Sequence, residues 1–288
     1  MTEQSTTGVD KRPSQRELLR RYGLQPKYSF GQNFLQDDHA LKELGRLIAE
    51  HSQAAIEIGA GLGALTNQLL MAGIQVIAIE RDRELIPVLQ QEFSAALSSG
   101  QLTLLEADAK TTDYRELVGR LPKPVTLAGN LPYQLTGPLL RETSKLAPAI
   151  HHAVFLVQLE VAQRLTAQPA TEDYGALSVF VQAGFSVRRA LVVKRGCFFP
   201  EPKVDSAVVV LTPHPTPLAE ETPEFSELVR RAFQQRRKTL KNAWSGIFGV
   251  TAEQLQTHAA RAQVDLTHRG ETLSVADFAR MAQQVSAR

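Results

Sequence analysis

Val125-Thr126-Leu127-Ala128-Gly129-Asn130-Leu131-Pro132-Tyr133 begins as a short apolar run and ends as a polar, aromatic turn. The run reads as a buried strand that breaks at Gly129. A buried strand feeding a rigid turn is a common way to place reactive groups at the carboxyl edge of a parallel sheet. The residue types suit a flat, amino-bearing ring. Asn130 has a side-chain carbonyl that accepts a hydrogen bond, and Pro132 fixes the turn with no N–H of its own. The carbonyls of Leu131 and Pro132 are then free to point outward as further acceptors. Tyr133 offers a ring face on which a base can stack. Taken alone, the same four residues also describe a proline turn capping a strand.

Upstream, residues 54–58 read as a strand running into the glycine-rich turn Gly59-Ala60-Gly61-Leu62-Gly63, with a helix over 64–72. Such glycines permit tight turning and close approach of a ligand to the backbone beside a helix N-terminus. A glycine-rich turn by itself fits a nicotinamide dinucleotide fold equally well. Residues 74–80 read as a second strand ending in Glu80, placed where a carboxylate takes ribose hydroxyls. A helical stretch over 85–97 precedes a third strand, 102–108, ending in Asp108 and followed by Ala109. A second carboxylate suits an adenine amino group, and a dinucleotide dehydrogenase has no specific use for it. Four consecutive strands thus end in a glycine turn, Glu80, Asp108 and Asn130–Tyr133 on one edge of one sheet. The series is far more specific than its members.

Downstream, the pattern gives helices over 137–146, 160–168 and 175–184, and strands over 153–158, 185–194 and 204–211. Arg164, on the second of these helices, suits either a structural role or a phosphate contact. Phe198 and Phe199 lie in the proline-stiffened loop 196–204, as core plugs or as the second face of a base held by Tyr133. Pro213-His214-Pro215-Thr216-Pro217 is the best linker, and beyond it the chain reads as all helix. Treated as one helix, at about 100° per residue, residues 225–244 put Arg230, Arg231, Arg237, Lys238 and Lys241 on one face. Val229, Phe233, Leu240 and Trp244 fall on the other, with Arg236 among them. No acid lies between the first and last of these cations, which favours a phosphate-binding surface over a solvated face.

The chain has 288 residues, 43% hydrophobic and 22% charged, with a formal net charge of +2. These are ordinary values for a globular protein, and no run approaches the roughly 18 apolar residues that cross a bilayer. Cys197 is the only cysteine, which excludes an intrachain disulfide and a cysteine-based metal site. The seven histidines show no ligand spacing, so no metal is expected. A cytoplasmic location fits, and residues 1–26 lack the features of a signal or transit peptide. The first dozen residues are expected to be disordered, with a short helix near Gln15–Arg21.

These motifs resemble the class I S-adenosylmethionine-dependent methyltransferases, and more closely the ribosomal RNA adenine N6-dimethyltransferases of the small subunit. The resemblance covers about residues 27–288. It rests on Phe30-Gly-Gln-Asn-Phe-Leu35, Glu57-Ile-Gly-Ala-Gly-Leu-Gly63, Glu80, Asp108-Ala109 and Asn130-Leu-Pro-Tyr133. Further support comes from Glu160-Val-Ala-Gln-Arg164, Tyr174-Gly-Ala-Leu-Ser178, Phe199-Pro-Glu-Pro-Lys-Val-Asp-Ser206 and Arg236-Arg-Lys-Thr-Leu-Lys-Asn242. Gln134-Leu-Thr-Gly137 departs from the bacterial pattern, which more often carries an Asn and an Ile-Ser pair.

The resemblance implies an α/β fold: a Rossmann-like, seven-stranded, mostly parallel sheet with a C-terminal antiparallel strand, plus a small all-helical domain. It divides the chain into an N-terminal extension (1–26), a catalytic domain (27–212) and a helical RNA-binding domain (213–288). Gln32, Asn33 and Leu35 would cover the methionine part of S-adenosylmethionine, and Gly59 and Gly61 would meet it through the backbone. Glu80 would hold the ribose, Arg81 would stand beside it, and Asp108 with Ala109 would hold the adenine. Asn130 would bridge cofactor and target, Leu131 and Pro132 would complete the catalytic turn, and Tyr133 and Phe199 would stack on the target adenine. Arg230, Arg231, Arg237, Lys238 and Lys241 would bind RNA. The implied reaction is dimethylation at N6 of two adjacent adenosines in the terminal hairpin of 16S rRNA, late in small-subunit assembly, by a monomer. Three other readings compete: a large-subunit adenine methyltransferase, a dinucleotide oxidoreductase, and an RNA-binding assembly factor without catalysis.

Overall fold

The structure, a computed structural model, describes residues 12–286. The strands are β1 (Phe34–Leu35), β2 (Ala54–Ile58), β3 (Gln75–Glu80), β4 (Leu102–Glu106) and β5 (Val125–Asn130). They continue as β6 (His152–Gln158), β7 (Phe185–Val193), β8 (Phe198–Phe199) and β9 (Ser206–Pro213). Helices α1 (Gln15–Arg21), α2 (Asp38–Ala49), α3 (Ala64–Met71), α4 (Leu85–Glu92), α5 (Ser94–Ser99) and α6 (Tyr114–Gly119) belong to the first half. Next come α7 (Thr136–Ser144), α8 (Leu159–Thr166) and α9 (Ala176–Gly184). After β9 come α10 (Pro223–Gln234), α11 (Leu240–Ala243), α12 (Ala252–Ala262) and α13 (Val275–Ser286).

Seven strands form one sheet in the order β4-β3-β2-β5-β6-β9-β7. The first five neighbours pair in parallel, and β9 runs antiparallel to both β6 and β7. Every residue of β2 is buried, as is nearly all of β5, because helices cover both faces. One apolar cluster joins Ile56, Leu127, Phe155 and Val209 to α6 and α7. Another, on the opposite face, joins Val76, Ala128, Val154 and Val208 to α2 and α3. Gly129 is dictated by close packing: a Cβ there would stand 2.5 Å from the Ile58 carbonyl oxygen of the neighbouring strand.

The chain enters the sheet at β2, winds outward through β3 and β4, then returns past β2 to lay down β5. The strand order therefore reverses between β2 and β5. A crevice opens at such a point beyond the carboxyl ends of the strands.

Most element boundaries shift by a residue or two from the sequence expectation, and two expected helices are broken. The stretch expected as one helix over 85–97 is two helices broken at Phe93, whose ring packs under the glycine turn at Gly63. The stretch treated as one helix over 225–244 is also broken. α10 stops at Gln234, and α11 starts at Leu240, where backbone N–H groups of Leu240 and Lys241 bond to the His268 and Leu266 carbonyls. The expectation of disorder at the N-terminus falls, but for Arg12, outside the described residues.

The helices after β9 do not hang from a loose tether. His214 and Leu218 donate backbone hydrogen bonds to the Gly184 and Ala183 carbonyls at the end of α9. Tyr174, Val179 and Ala183 share one apolar cluster with Phe225, Leu228, Trp244 and Phe278. Trp244, fully buried there, donates its indole N–H to the Leu228 carbonyl at 2.9 Å.

Candidate active site

A cavity of about 280 Å³ occupies the crevice at the β2–β5 reversal. Gly59 and Gly61 from the β2 turn, Glu80 and Arg81 from β3, Asp108 and Ala109 beyond β4, and Asn130 to Tyr133 beyond β5 all line it. Gln32 and Asn33 close it from the other side, on a loop that also brings Ser29, Phe30 and Phe34. Residues far apart in sequence meet here because parallel strands present all their carboxyl ends to one edge.

The turn after β2 carries φ values of +76°, +58° and +78° at Gly59, Gly61 and Gly63, a region that side chains rarely enter. The position of a Cβ at Gly59 meets no atom within 4 Å, so the backbone there is open to a ligand.

Glu80 is nearly buried, and its carboxylate accepts backbone N–H groups from Gly61 (2.8 Å), Arg81 (2.9 Å) and Asp82 (2.8 Å). Burial pushes its pKa up, while those N–H groups oppose the rise. A carboxylate has about four acceptor sites, so after these bonds Oε2 retains one for a hydroxyl. Arg81 reaches across the rim to Asp108 (3.3 Å), with its guanidinium 4.7 Å from the centre of the Phe30 ring. Tyr114 donates its hydroxyl to the Ala109 carbonyl at 2.8 Å and fixes the loop beyond β4.

The loop over the cleft is tied down by its own polar groups. The Gln32 side chain accepts from the Lys27 N–H (2.8 Å) and donates to Asp82 (2.7 Å), which also binds Lys27 Nζ at 2.6 Å. Burial works against ionisation of Asp82, but Lys27 and Gln32 outweigh it and hold that carboxyl below its ordinary range. Gln32 thus lies at the cleft but has a scaffolding task, which the sequence pattern did not reveal.

Asn130 is oriented by a single bond. Its Nδ2 donates to the Asn33 carbonyl at 2.9 Å, which leaves Oδ1 as the acceptor. Leu131 is buried and donates its N–H to the Leu156 carbonyl of β6 at 3.0 Å. Pro132 begins the turn, its carbonyl accepting from Leu135 N–H and the Thr136 hydroxyl. That carbonyl is therefore already engaged, contrary to the expectation that it points outward. Tyr133 lines the cleft, with its hydroxyl buried beside Ser206 and its pKa raised by burial.

Two expected residues stand elsewhere. Leu35 is buried among Leu41, Leu44 and Phe198 behind the cleft, because alternation along β1 turns Phe34 toward the cavity instead. Phe199 pairs with Phe34 across the β1–β8 ladder and does not line the cavity, and Arg16 lies 4.5 Å from its ring centre. Phe30, Phe34 and Lys110 line the cleft without having been singled out for it, although both phenylalanines stand in the quoted motif.

The cation set also divides. Arg230 and Arg231 both pair with Glu227, one turn earlier on α10, so they are not the unbalanced run that the sequence suggested. Arg237, Lys238 and Lys241 are exposed on the turn and short helix beyond α10. Arg236, the outlier of the helical wheel, donates to the Glu172 and Tyr174 carbonyls and holds that turn against the start of α9.

The sequence pattern described as ribosomal RNA adenine dimethylase matches residues 23–286. The chain belongs to the ribosomal RNA adenine dimethylase family. Its similarity extends along nearly the whole chain. Ribosomal RNA small subunit methyltransferase A of Anaeromyxobacter sp. strain K is 42% identical over 282 residues, covering 94% of this chain and 97% of the relative. The protein of that name from Enterococcus faecalis is 36% identical, covering 92% of each chain. Among solved structures, a dimethyladenosine transferase from Plasmodium falciparum superimposes with a TM-score of 0.71 at 24% identity, covering 88% of this chain and 97% of that one. The 23S rRNA methyltransferase ErmE gives 0.63 at 24% identity, with 88% and 100% covered. These two show the shared fold. The family is one of S-adenosylmethionine-dependent methyltransferases acting on adenine in ribosomal RNA, and the class I fold described above is the one it uses. A dinucleotide oxidoreductase is thereby excluded. Among the described residues no group of three or more His, Cys, Asp or Glu is placed to hold a metal, and no helix is long and apolar enough to cross a membrane.

Proposed function

We propose that this protein dimethylates N6 of two adjacent adenosines in the 3′-terminal hairpin of 16S rRNA, on the immature small subunit, as a cytoplasmic monomer. The small-subunit target is supported by relatives at 36–42% identity that carry that name over more than nine-tenths of their length. The chemistry is carried by one observation: Asn130, at the carboxyl end of β5, is fixed through Nδ2 and presents Oδ1.

S-adenosylmethionine supplies an electrophilic methyl group on a sulfonium centre. In the proposed arrangement the Gly59 and Gly61 backbone meets its methionine part, with Gln32 and Asn33 covering it. The free acceptor site of Glu80 takes a ribose hydroxyl, and Asp108 with Ala109 reads the adenine beside Arg81. The target adenine leaves its stack and enters beside Tyr133. Its exocyclic nitrogen is a poor nucleophile because the lone pair is delocalised into the ring. Asn130 Oδ1 and the Leu131 carbonyl accept the N6 hydrogens and favour a more pyramidal nitrogen, whose lone pair forms the new N–C bond as the C–S bond breaks. The N6 proton then passes to water, and no side chain need act as a base. Positioning and electrostatics supply most of the acceleration. Leu131 borders the space that a first methyl group must occupy before a second transfer.

Tritiated methyl transfer to small subunits lacking the modification, followed by nucleoside analysis, tests the proposal. Label recovered as N6,N6-dimethyladenosine is the expected result. Label appearing in large-subunit RNA instead would overturn the small-subunit assignment.

A further inference from the structure

The segment from Arg12 through α1 precedes residue 23, where the family match begins, yet it packs on the cofactor side of the crevice. Leu18 and Leu19 of α1 are buried against Phe34, Leu62, Leu85 and Val88. Just before the helix, Arg12 lies over the outer side of the glycine turn. Its Nη1 donates to the Gly63 carbonyl at 2.6 Å and its Nη2 to the Leu62 carbonyl at 2.5 Å. The guanidinium also lies 4.6 Å from the centre of the Phe93 ring. On the inner side of the same turn, Glu80 accepts the Gly61 N–H. The turn is therefore gripped from both sides.

A turn with three glycines at positive φ has more backbone freedom to lose than one built from residues with side chains. Ordering it at the moment of binding would subtract from affinity, whereas a clamp that orders it beforehand removes that loss without touching the ligand. The Gly63 carbonyl also accepts the Asn67 N–H at 3.0 Å, in the first turn of α3, so the clamp sets the start of that helix as well. A cation is disfavoured at a helix N-terminus. Burial pulls the Arg12 pKa down from its ordinary value, and the nearby Glu92 carboxylate opposes that fall.

We propose that Arg12 is a positioning residue for the cofactor: its two bonds to the Leu62 and Gly63 carbonyls preset the Gly59–Gly61 face of the turn. The inference rests on the reading of the crevice as the S-adenosylmethionine site. The full chain carrying Arg12→Gln, Arg12→Lys or Arg16→Ala is titrated calorimetrically with S-adenosylhomocysteine, and amide hydrogen exchange is followed in parallel. Arg12→Gln should raise Kd about tenfold, the scale of one charge-assisted hydrogen bond. Exchange should quicken in residues 61–67 and stay unchanged in β2 and β5. Arg12→Lys should recover only part of the affinity, because an ammonium keeps the charge without the fork that spans two carbonyls.

Arg16→Ala alters the same segment but leaves the turn untouched, and should bind as the parent does. Equal weakening by Arg12→Gln and Arg16→Ala would mean that loss of α1, not of the clamp, is being read, and would overturn the inference. So would Arg12→Gln binding within twofold of the parent, or full recovery with lysine. Failure of the unaltered protein to bind would sink the cofactor reading itself.

Discussion

Asn130 gives its Nδ2 to the Asn33 carbonyl, and in the proposed reaction its Oδ1 serves the target amine. Asn130→Ala removes the acceptor and also loosens the loop above it, while the glycine turn, Glu80 and Asp108 stay in place. Methyl transfer in a single turnover should fall by a factor of about 100 or more, in the range seen when one transition-state contact is lost. Affinity for S-adenosylhomocysteine should change only a few-fold. A matching loss of affinity would show that Asn130 mainly holds the loop. Glu57 makes a different kind of statement. It is wholly buried, and burial pushes its pKa from 4.5 up to about 8, with Thr66 and Arg12 opposing and Glu80 adding to the rise. The native state thus holds a proton that the unfolded chain gives up above about pH 4.5. Stability should therefore fall as pH climbs from about 4.5 to about 8, at up to about 1.4 kcal/mol per unit, and level off above. Glu57→Gln, which cannot ionise, should flatten that part of the profile in urea unfolding. Parallel curves for the two proteins would mean that the carboxyl is ionised in the fold.

At the scale of elements, the pairing of β2 with β5 sets the width of the crevice, and Gly129 sets how closely the two approach. Gly129→Ala drives a methyl into the Ile58 carbonyl and should cost about 1–3 kcal/mol, as overpacking does. A lower thermal midpoint would register this, together with weaker methyl transfer, since Asn130 is the next residue. Strands of this kind were legible in the sequence because a buried parallel strand is a continuous apolar run, and the residues at the carboxyl end of each run carry the chemistry of the sheet edge. The site was legible for the same reason in Gly59, Glu80, Asp108 and Asn130. What periodicity could not reveal was set by tertiary contacts. The break between α10 and α11 exists because the backbone of Leu240 and Lys241 is captured by carbonyls of the 266–268 loop. Leu35, one step along β1 from Phe34, lines a small cavity it shares with Gly59, Gly61 and Asn130, and not the main crevice. Phe199 carries its expected aromatic character, but its ring belongs with Arg16 and the apolar patch beside α1. Arg12 lay in a segment with no motif to draw attention to it.

Over the whole molecule, the crevice and the exposed cations on the turn after α10 belong to parts that share a core through α9. The proposed RNA surface accordingly stands at a fixed place relative to the catalytic edge. Arg237, Lys238 and Lys241 should each, when changed to alanine, raise the KM for RNA and lower the salt slope of binding by about one, with cofactor affinity unaltered. Arg230 and Arg231, partly neutralised by Glu227, should do distinctly less. Equal effects from both groups would show that the pairing with Glu227 gives way on RNA.

Trp244, the one tryptophan of the chain, is sealed inside the helical cluster with its N–H bonded to Leu228. Nature has thereby labelled the helical part of the protein and left the sheet without a tryptophan. Selectively excited indole emission should be blue-shifted in the native state and should report the helices alone, while circular dichroism follows helices and sheet together. Comparing the two signals through a melt reveals whether the proposed RNA-binding helices part from the methyl-transferring sheet before either unfolds.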